Sequence, residues 1–94
     1  MTLNQKRITL FEEDLNKAFD IQRLQIEDES HLHAGHVGAA SGGGHFKVTI
    51  VAPEFQGLTL VARHRAIYAA LHRHIPSEIH ALTITAQTPQ EASI

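Results

Sequence analysis

The chain has 94 residues, a formal net charge of −2 with neutral histidines, eight histidines and no cysteine. That length suits a single domain over residues 1–94, the missing cysteine excludes disulfides, thiolate ligands and redox thiols of the chain's own, and the mildly acidic balance argues against a dedicated nucleic-acid-binding protein. No apolar run approaches a membrane span, and Glu12, Glu13 and Asp14 stand where a signal peptide would have its apolar centre, so a cytoplasmic protein with no membrane contact is expected.

Ile8, Phe11, Leu15 and Ala18 recur at three- and four-residue spacing, with Phe19 beside them, which predicts a first helix. From Ile21 to Asp28 the pattern changes to alternation. Leu24 and Ile26 interleave with Gln25 and Glu27, as in a strand with one buried face. Glu29 to Gly44 has no apolar period and holds Gly35, Gly38 and the run Gly42-Gly43-Gly44. It reads as a loop, and loops of this length in small domains are often functional. His45 to Val51 reads as a second strand, with Phe46, Val48 and Ile50 on one face, His45, Lys47 and Thr49 on the other, and Pro53 closing it.

Gln56 to Ile75 is the longest helical pattern. Leu60, Ile67, Leu71 and Ile75 form an apolar stripe with His64 at its remaining position, Val61, Tyr68 and Ala70 widen it, and Pro76 ends it. Arg63, Arg65, His72 and Arg73 fall mostly off that stripe and are expected in solvent, as is His74. Ile79 to Ala86 predicts a third strand with Leu82 and Ile84 facing inward. Thr88-Pro89-Gln90-Glu91 has the signature of a helix start, with room for one turn. Helix, strand, strand, helix and strand in that order predict an α+β fold with helices covering one face of a small sheet.

The histidines carry the functional signal. His31, His33, His36 and His45 lie within fifteen residues, and His80 stands at the head of the run Ile79-His80-Ala81-Leu82. Imidazole is a common metal ligand and changes charge near neutral pH. His80 shares parity with Leu82 and Ile84, so a place at the core margin is the plain alternative to a ligand role. For His33 and His36 the alternative is an exposed loop residue. His45, at a strand start on the polar face, is a further candidate, whereas His64 on the helical stripe reads as a structural histidine. A zinc site made from His31, His33 and His36 alone would be loose among the glycines. No enzyme signature is present: there is no nucleophilic cysteine, no Gly-x-Ser-x-Gly, and no lysine and serine after the glycine run as a phosphate loop needs. Lys47, Arg63, Arg65 and Arg73 are the candidate contacts for a nucleic acid or an acidic partner, weighed against an ordinary solvated charged face.

Asp28-Glu29-Ser30, His33-Ala34-Gly35-His36, His45-Phe46-Lys47-Val48, Phe55-Gln56-Gly57, Arg63-His64-Arg65 with Tyr68, Ile79-His80-Ala81-Leu82 and Thr88-Pro89-Gln90-Glu91 follow one another in an order and spacing that resembles the BolA family, from about residue 8 to residue 91. The resemblance implies a fold like the class II KH domain with a mixed three-stranded sheet. It implies a partner, a monothiol glutaredoxin, and a bridging [2Fe-2S] cluster whose sulfur ligands come from the glutaredoxin and glutathione. His80 and a loop histidine would be this chain's ligands. Counting forward from Asp28 places the loop ligand on His33, and counting back from His45 places it on His36; His33 is preferred, with His36 and His45 as alternatives. The isolated protein is expected to be metal-free, and a monomer or weak homodimer. Some members of the family are DNA-binding regulators of stress response and cell shape, which gives the second expectation. The chain departs from many relatives at its end, Thr88-Pro89-Gln90-Glu91-Ala92-Ser93-Ile94, where they continue with a tryptophan and a longer helix.

Overall fold

The computed structural model describes residues 1–33 and 42–93, with Leu32 and His33 described by their backbone alone. Helix α1 runs over Leu3–Ala18 and begins ahead of the first apolar repeat residue, Ile8. Its start is a capping box: Gln5 N donates to the Thr2 hydroxyl at 3.1 Å, and Thr2 N donates to the Gln5 side chain at 2.7 Å. Polar capping therefore carries the first turn, while Leu3 stays 62% exposed.

Three strands form one sheet in the order β1 (Arg23–Asp28), β2 (Gly44–Val51), β3 (Ile79–Gln87). β1 pairs antiparallel with β2, and β3 runs parallel to β2. A parallel neighbour needs a crossover, and α2 (Leu60–Ala70) supplies it. Short 3₁₀ turns span Ser30–His33, Pro53–Phe55 and His72–His74, the first of them inside the expected loop. The one-turn helix α3 (Pro89–Ala92) follows β3, capped by Thr88 as its sequence implies. Phe11 and Leu15 of α1, Ile67 of α2 and Leu71 at its C-cap close over Phe46, Val48 and Ile50 of β2. The alternating residues Arg23, Gln25 and Glu27 of β1 and Thr83 and Thr85 of β3 remain exposed on the opposite face. The α+β fold with helices on one face of a mixed sheet is thus as expected.

The second helix is shorter than its apolar pattern. Gly57 takes a φ of 78°, which stops any helix reaching back to Gln56, and Thr59 caps the true start by accepting from Ala62 N at 3.1 Å. At the other end Leu71 leaves helical geometry and the chain tightens into a 3₁₀ turn. Ile75, which precedes a proline, is extended.

The apolar stripe also needs correction. The buried line along α2 and its C-cap is Arg63, Ile67 and Leu71, while Leu60 and Val61 are 66% and 60% exposed. Stepping back four residues at a time from Leu71 through Ile67 reaches Arg63, so the geometry of the helix places a cation where the stripe predicts Leu60 and His64. Arg63, expected in solvent, is 7% exposed. Its Nε donates to Leu58 O at 3.0 Å, its Nη1 to Ala86 O at 3.1 Å, and its two terminal nitrogens fork onto the Glu91 carboxylate. The pair with Arg63 and the amide of Thr88 hold the Glu91 carboxyl down to about 2.

His74 is the second correction. Expected to be solvated, it is 2% exposed. Its Nδ1 meets Glu78 Oε1 at 2.7 Å, its Nε2 meets Asp14 Oδ2 at 2.8 Å, and its ring lies edge-on to Phe11 with centroids 4.8 Å apart. Helical spacing cannot be extrapolated to His74 because the chain has left the α-helix two turn residues earlier. Arg73 keeps an exposed side chain but forks onto Asp14 at 2.7 and 3.0 Å. That contact, joined by His74 and opposed by burial, holds the Asp14 carboxyl down to about 2.

Arg63→Ala should lower the free energy of unfolding in urea by about 2–3 kcal/mol, since it strips partners from two carbonyls and a carboxylate, whereas Arg65→Ala at an exposed helix position should change it by less than about 0.5 kcal/mol. Acid gives a second check. Asp14 and Glu91 have ordinary values of 3.8 and 4.5 and folded values of about 2. Their contribution is complete above pH 4.5 and is lost as pH falls toward 2. Melting temperature should therefore drop across that window, and by less in Asp14→Asn and Glu91→Gln.

Candidate functional site

The site is built where the chain returns from residue 41 into β2. Ser30 secures the return, its hydroxyl accepting from His45 N at 3.1 Å, while Glu29 N donates to His45 O at 2.8 Å. On the other side Gly44 N donates to Glu78 O at 3.0 Å. Gly44 pairs with Ile79 across the parallel ladder, but the next pair is His45 with Ala81. β3 thus spends one extra residue where β2 spends none, and that residue is His80.

This bulge overturns the parity expected of His80. A regular strand would put His80 on the face of Leu82 and Ile84. With one residue inserted, Ile79 takes the core position at 1% exposure and His80 is turned outward. The His80 ring then lies beside the half-buried His45 ring, with centroids 5.2 Å apart and planes tilted by 45°.

The glycines make room for this corner. A methyl group on Gly43 would stand 2.8 Å from Pro76 O, 3.0 Å from His80 N and 3.1 Å from His80 Cβ. One on Gly44 would stand 2.7 Å from the Phe46 ring and 2.9 Å from the Ser30 hydroxyl. Close approach, of backbone at Gly43 and of the Phe46 and Ser30 side chains at Gly44, is what requires them rather than turn geometry. Asp28 lies at the same end. Its burial pushes the carboxyl up, but hydrogen bonds from Ser30 and Asn4 and the charge of His31 outweigh it and leave the value lowered.

Of the histidines singled out in the sequence, the structure brings His45 and His80 together. His33 ends the Ser30–His33 turn, and its ring lies outside what is described; His36 lies outside the described residues. Among the described residues no group of three or more His, Asp or Glu side chains is placed to hold a metal ion. Two adjacent imidazoles fit part of a metal's coordination shell, and with no cysteine in the chain any thiolate must come from another molecule.

The four basic residues do not share one surface. Lys47 lies on the sheet face turned away from the helices, Arg65 is exposed on α2, Arg63 is buried against Glu91, and Arg73 is engaged by Asp14. Sequence reasoning missed Ser30, Gly43 and Glu78 as supports of the corner. The run of three glycines beside His45 was the available signal, since small residues mark close approach as well as turns.

Gly43→Ala should push the His80 backbone outward and destabilise the protein by about 1–3 kcal/mol. Chemical-shift changes should centre on Pro76, His80 and His45.

A family model described as BolA-like protein matches residues 15–91. SufE-like protein 1, chloroplastic/mitochondrial, of Arabidopsis thaliana is 44% identical over 84 residues, which are 84% of this chain and 23% of that protein. Protein BOLA1, chloroplastic, of the same plant is 38% identical over 91 residues, 94% of this chain and 57% of that protein. The chain therefore spans a quarter to just over half of these two relatives. The DNA-binding transcriptional regulator BolA of Haemophilus influenzae is 39% identical over 82 residues, 87% of this chain and 77% of that protein. Among solved structures, the BolA domain of SufE1 from Arabidopsis thaliana superposes with a TM-score of 0.80 at 44% identity, covering 90% of this chain and 94% of that domain. The chain belongs to the BolA-like protein family.

Proposed function

We propose that this protein is a non-enzymatic iron–sulfur adaptor. It docks on a monothiol glutaredoxin and shares a bridging [2Fe-2S] cluster with it and with glutathione. His80 is the first ligand of this chain and His33 the second, with His36 and His45 as the alternatives. The output is iron–sulfur trafficking or iron sensing. The observation that carries the reading is the exposed, outward-turned His80 ring beside the half-buried His45 ring, in a chain without thiolates.

Half a shell of imidazole suits a carrier. When neutral histidines replace thiolates on one iron, the site loses negative charge and its potential rises. A ring that has taken up a proton cannot ligate, so release is coupled to acidification. The remaining ligands reside on the partner, which makes the assembly reversible. The free protein is then a metal-free monomer or weak homodimer. Among the described residues no helix is long and apolar enough to cross a membrane. Similar proteins bear chloroplastic and mitochondrial as well as bacterial names; we place this one in the cytoplasm.

The second reading is DNA binding in transcriptional regulation, favoured by the name of the Haemophilus relative. The dispersal of Lys47, Arg63, Arg65 and Arg73 weighs against it, because phosphate binding gains from cations on one face.

Anaerobic reconstitution of the protein mixed with a monothiol glutaredoxin and glutathione, followed by visible absorption and circular dichroism, tests the proposal. A new spectrum should saturate at one-to-one and be lost in His80→Ala while the far-ultraviolet spectrum of the variant stays native. An unchanged glutaredoxin spectrum with no complex on a sizing column rejects it. Duplex-DNA affinity that falls steeply with salt would then establish the second reading.

A further inference from the structure

We infer that the free edge of β3 is a self-association site, on which a second copy of this chain lays its own β3 antiparallel about a twofold axis at Thr83. β3 is an outer strand of the sheet, and among the described residues nothing pairs with its far side. Two bonds show which backbone groups face outward. Ala52 N donates to Gln87 O at 3.1 Å, so Gln87 turns its carbonyl toward the β2 side. Direction alternates along a strand. Ala86 therefore faces the free edge, and there its carbonyl accepts from Arg63 Nη1 at 3.1 Å. The register is regular from Ala81 to Gln87, so Ile84 and Leu82 also present their N–H and C=O groups outward.

Edges of this kind are ordinarily guarded by charge, proline or a bulge. The opposite outer strand, β1, carries Arg23, Glu27 and Asp28. From Ala81 to Gln87, β3 has no charged residue and no proline, and Thr83, Ile84 and Thr85 are β-branched. Its guards stand only at the two ends, the bulge at His80 and the arginine on Ala86 O. Between them Leu82 and Ile84 are left open, one on each side of Thr83. Beside them Leu60 is 66% exposed and lines a groove with Ile84 and His64.

That open stretch fits a copy of itself. An isologous contact needs residue i to meet j and j to meet i. With Thr83 on the axis, the N–H and C=O of Leu82 meet those of the copy's Ile84, and the reverse holds across the axis. Leu82 and Ile84 both turn to the helical face, so the copy's Leu82 enters the groove against Ile84 and Leu60. The two Thr83 side chains meet on the outer face. No charge of one strand opposes a like charge of the other. A flexible peptide would have to be ordered in return for bonds to Leu82 and Ile84 alone, whereas the copy's strand is already ordered by its own sheet. The contact is small for an interface, so the dimer is weak. No cluster or glutaredoxin takes part, and failure of the dimer leaves the proposed function untouched.

Sedimentation and amide hydrogen exchange of the full chain by itself decide the matter. Between dilute and millimolar solution the sedimentation coefficient should move toward that of a dimer. Over the same range exchange at the Leu82 and Ile84 amides should slow by about tenfold, while the Thr83 and Thr85 amides, which face β2, keep their rates. Thr83→Lys, at an exposed position, sets two like charges together on the axis and should stay monomeric with a native far-ultraviolet spectrum. Thr83→Glu should do the same, and the two variants mixed in equal amounts should associate again. A wild-type chain that is monomeric at millimolar concentration, a dimer that leaves the Leu82 and Ile84 amides unprotected, or a dimer that persists in Thr83→Lys overturns the inference. So does a mixture of the two variants that fails to associate. Should either variant not fold, the wild-type exchange profile is decisive by itself.

Discussion

One residue of β3 has no partner across the ladder, and much of the molecule is arranged around that mismatch. A regular parallel register counted back from His45–Ala81 would pair His80 with Gly44 and would point an imidazole at the core side. The inserted residue lets Ile79 fill the core and still brings Leu82, Ile84 and Ala86 back to the helical face. A slip of one position in a strand exchanges its two faces; here the exchange is used once, at the strand's entrance, to serve packing and exposure together. Gly43, Gly44 and the turn at Ser30 are the local conditions that permit it.

Away from that corner, buried Arg63 and His74 tie together parts of the chain that are distant in sequence. Arg63 joins α2, the end of β3 and α3, and His74 joins α1 to the turn before β3. Burying a polar or charged group is unfavourable unless its partners are complete, and in both cases each side-chain nitrogen has one. Such pairs contribute less to net stability than to uniqueness. An apolar side chain at Arg63 could tolerate several placements of α3, whereas a planar fork meeting two carbonyls and a carboxylate tolerates very few. The outer face of the sheet, with its threonines, glutamine and charges, makes no such demand and is left to solvent.

Much of this was legible in the residues. Alternation in β1 and β2 placed the strands within two residues, and the Thr88–Glu91 signature located α3. What could not be read follows from physical causes. The apolar stripe of α2 was misplaced because hydrophobicity alone selects Leu60 and Val61, whereas the buried line includes an arginine whose partner lies 28 residues away. His74 was assigned to solvent because helical spacing was carried past the point at which the helix tightens. The start of α1 was missed because a capping box, not an apolar period, defines it. His80 was recognised from its surroundings in sequence, but its outward direction depends on a bulge set by glycines on another strand, and no local pattern in β3 records that.

The buried Arg63 has a consequence for the order in which the molecule can be completed. Its carboxylate partner lies in α3, which follows the other elements in the chain, so α1, the sheet and α2 are synthesised before the guanidinium has its counter-charge. Until residues 88–91 have emerged, Arg63 must remain hydrated or occupy an incomplete site, and the end of α2 facing β3 cannot close. A chain stopped after Gln87 would contain every strand and both long helices and would still lack the group that lets α2 settle. Residues 88–91 are thus needed to complete the packing of α2, and synthesis interrupted before them yields an open intermediate rather than a slightly shorter domain.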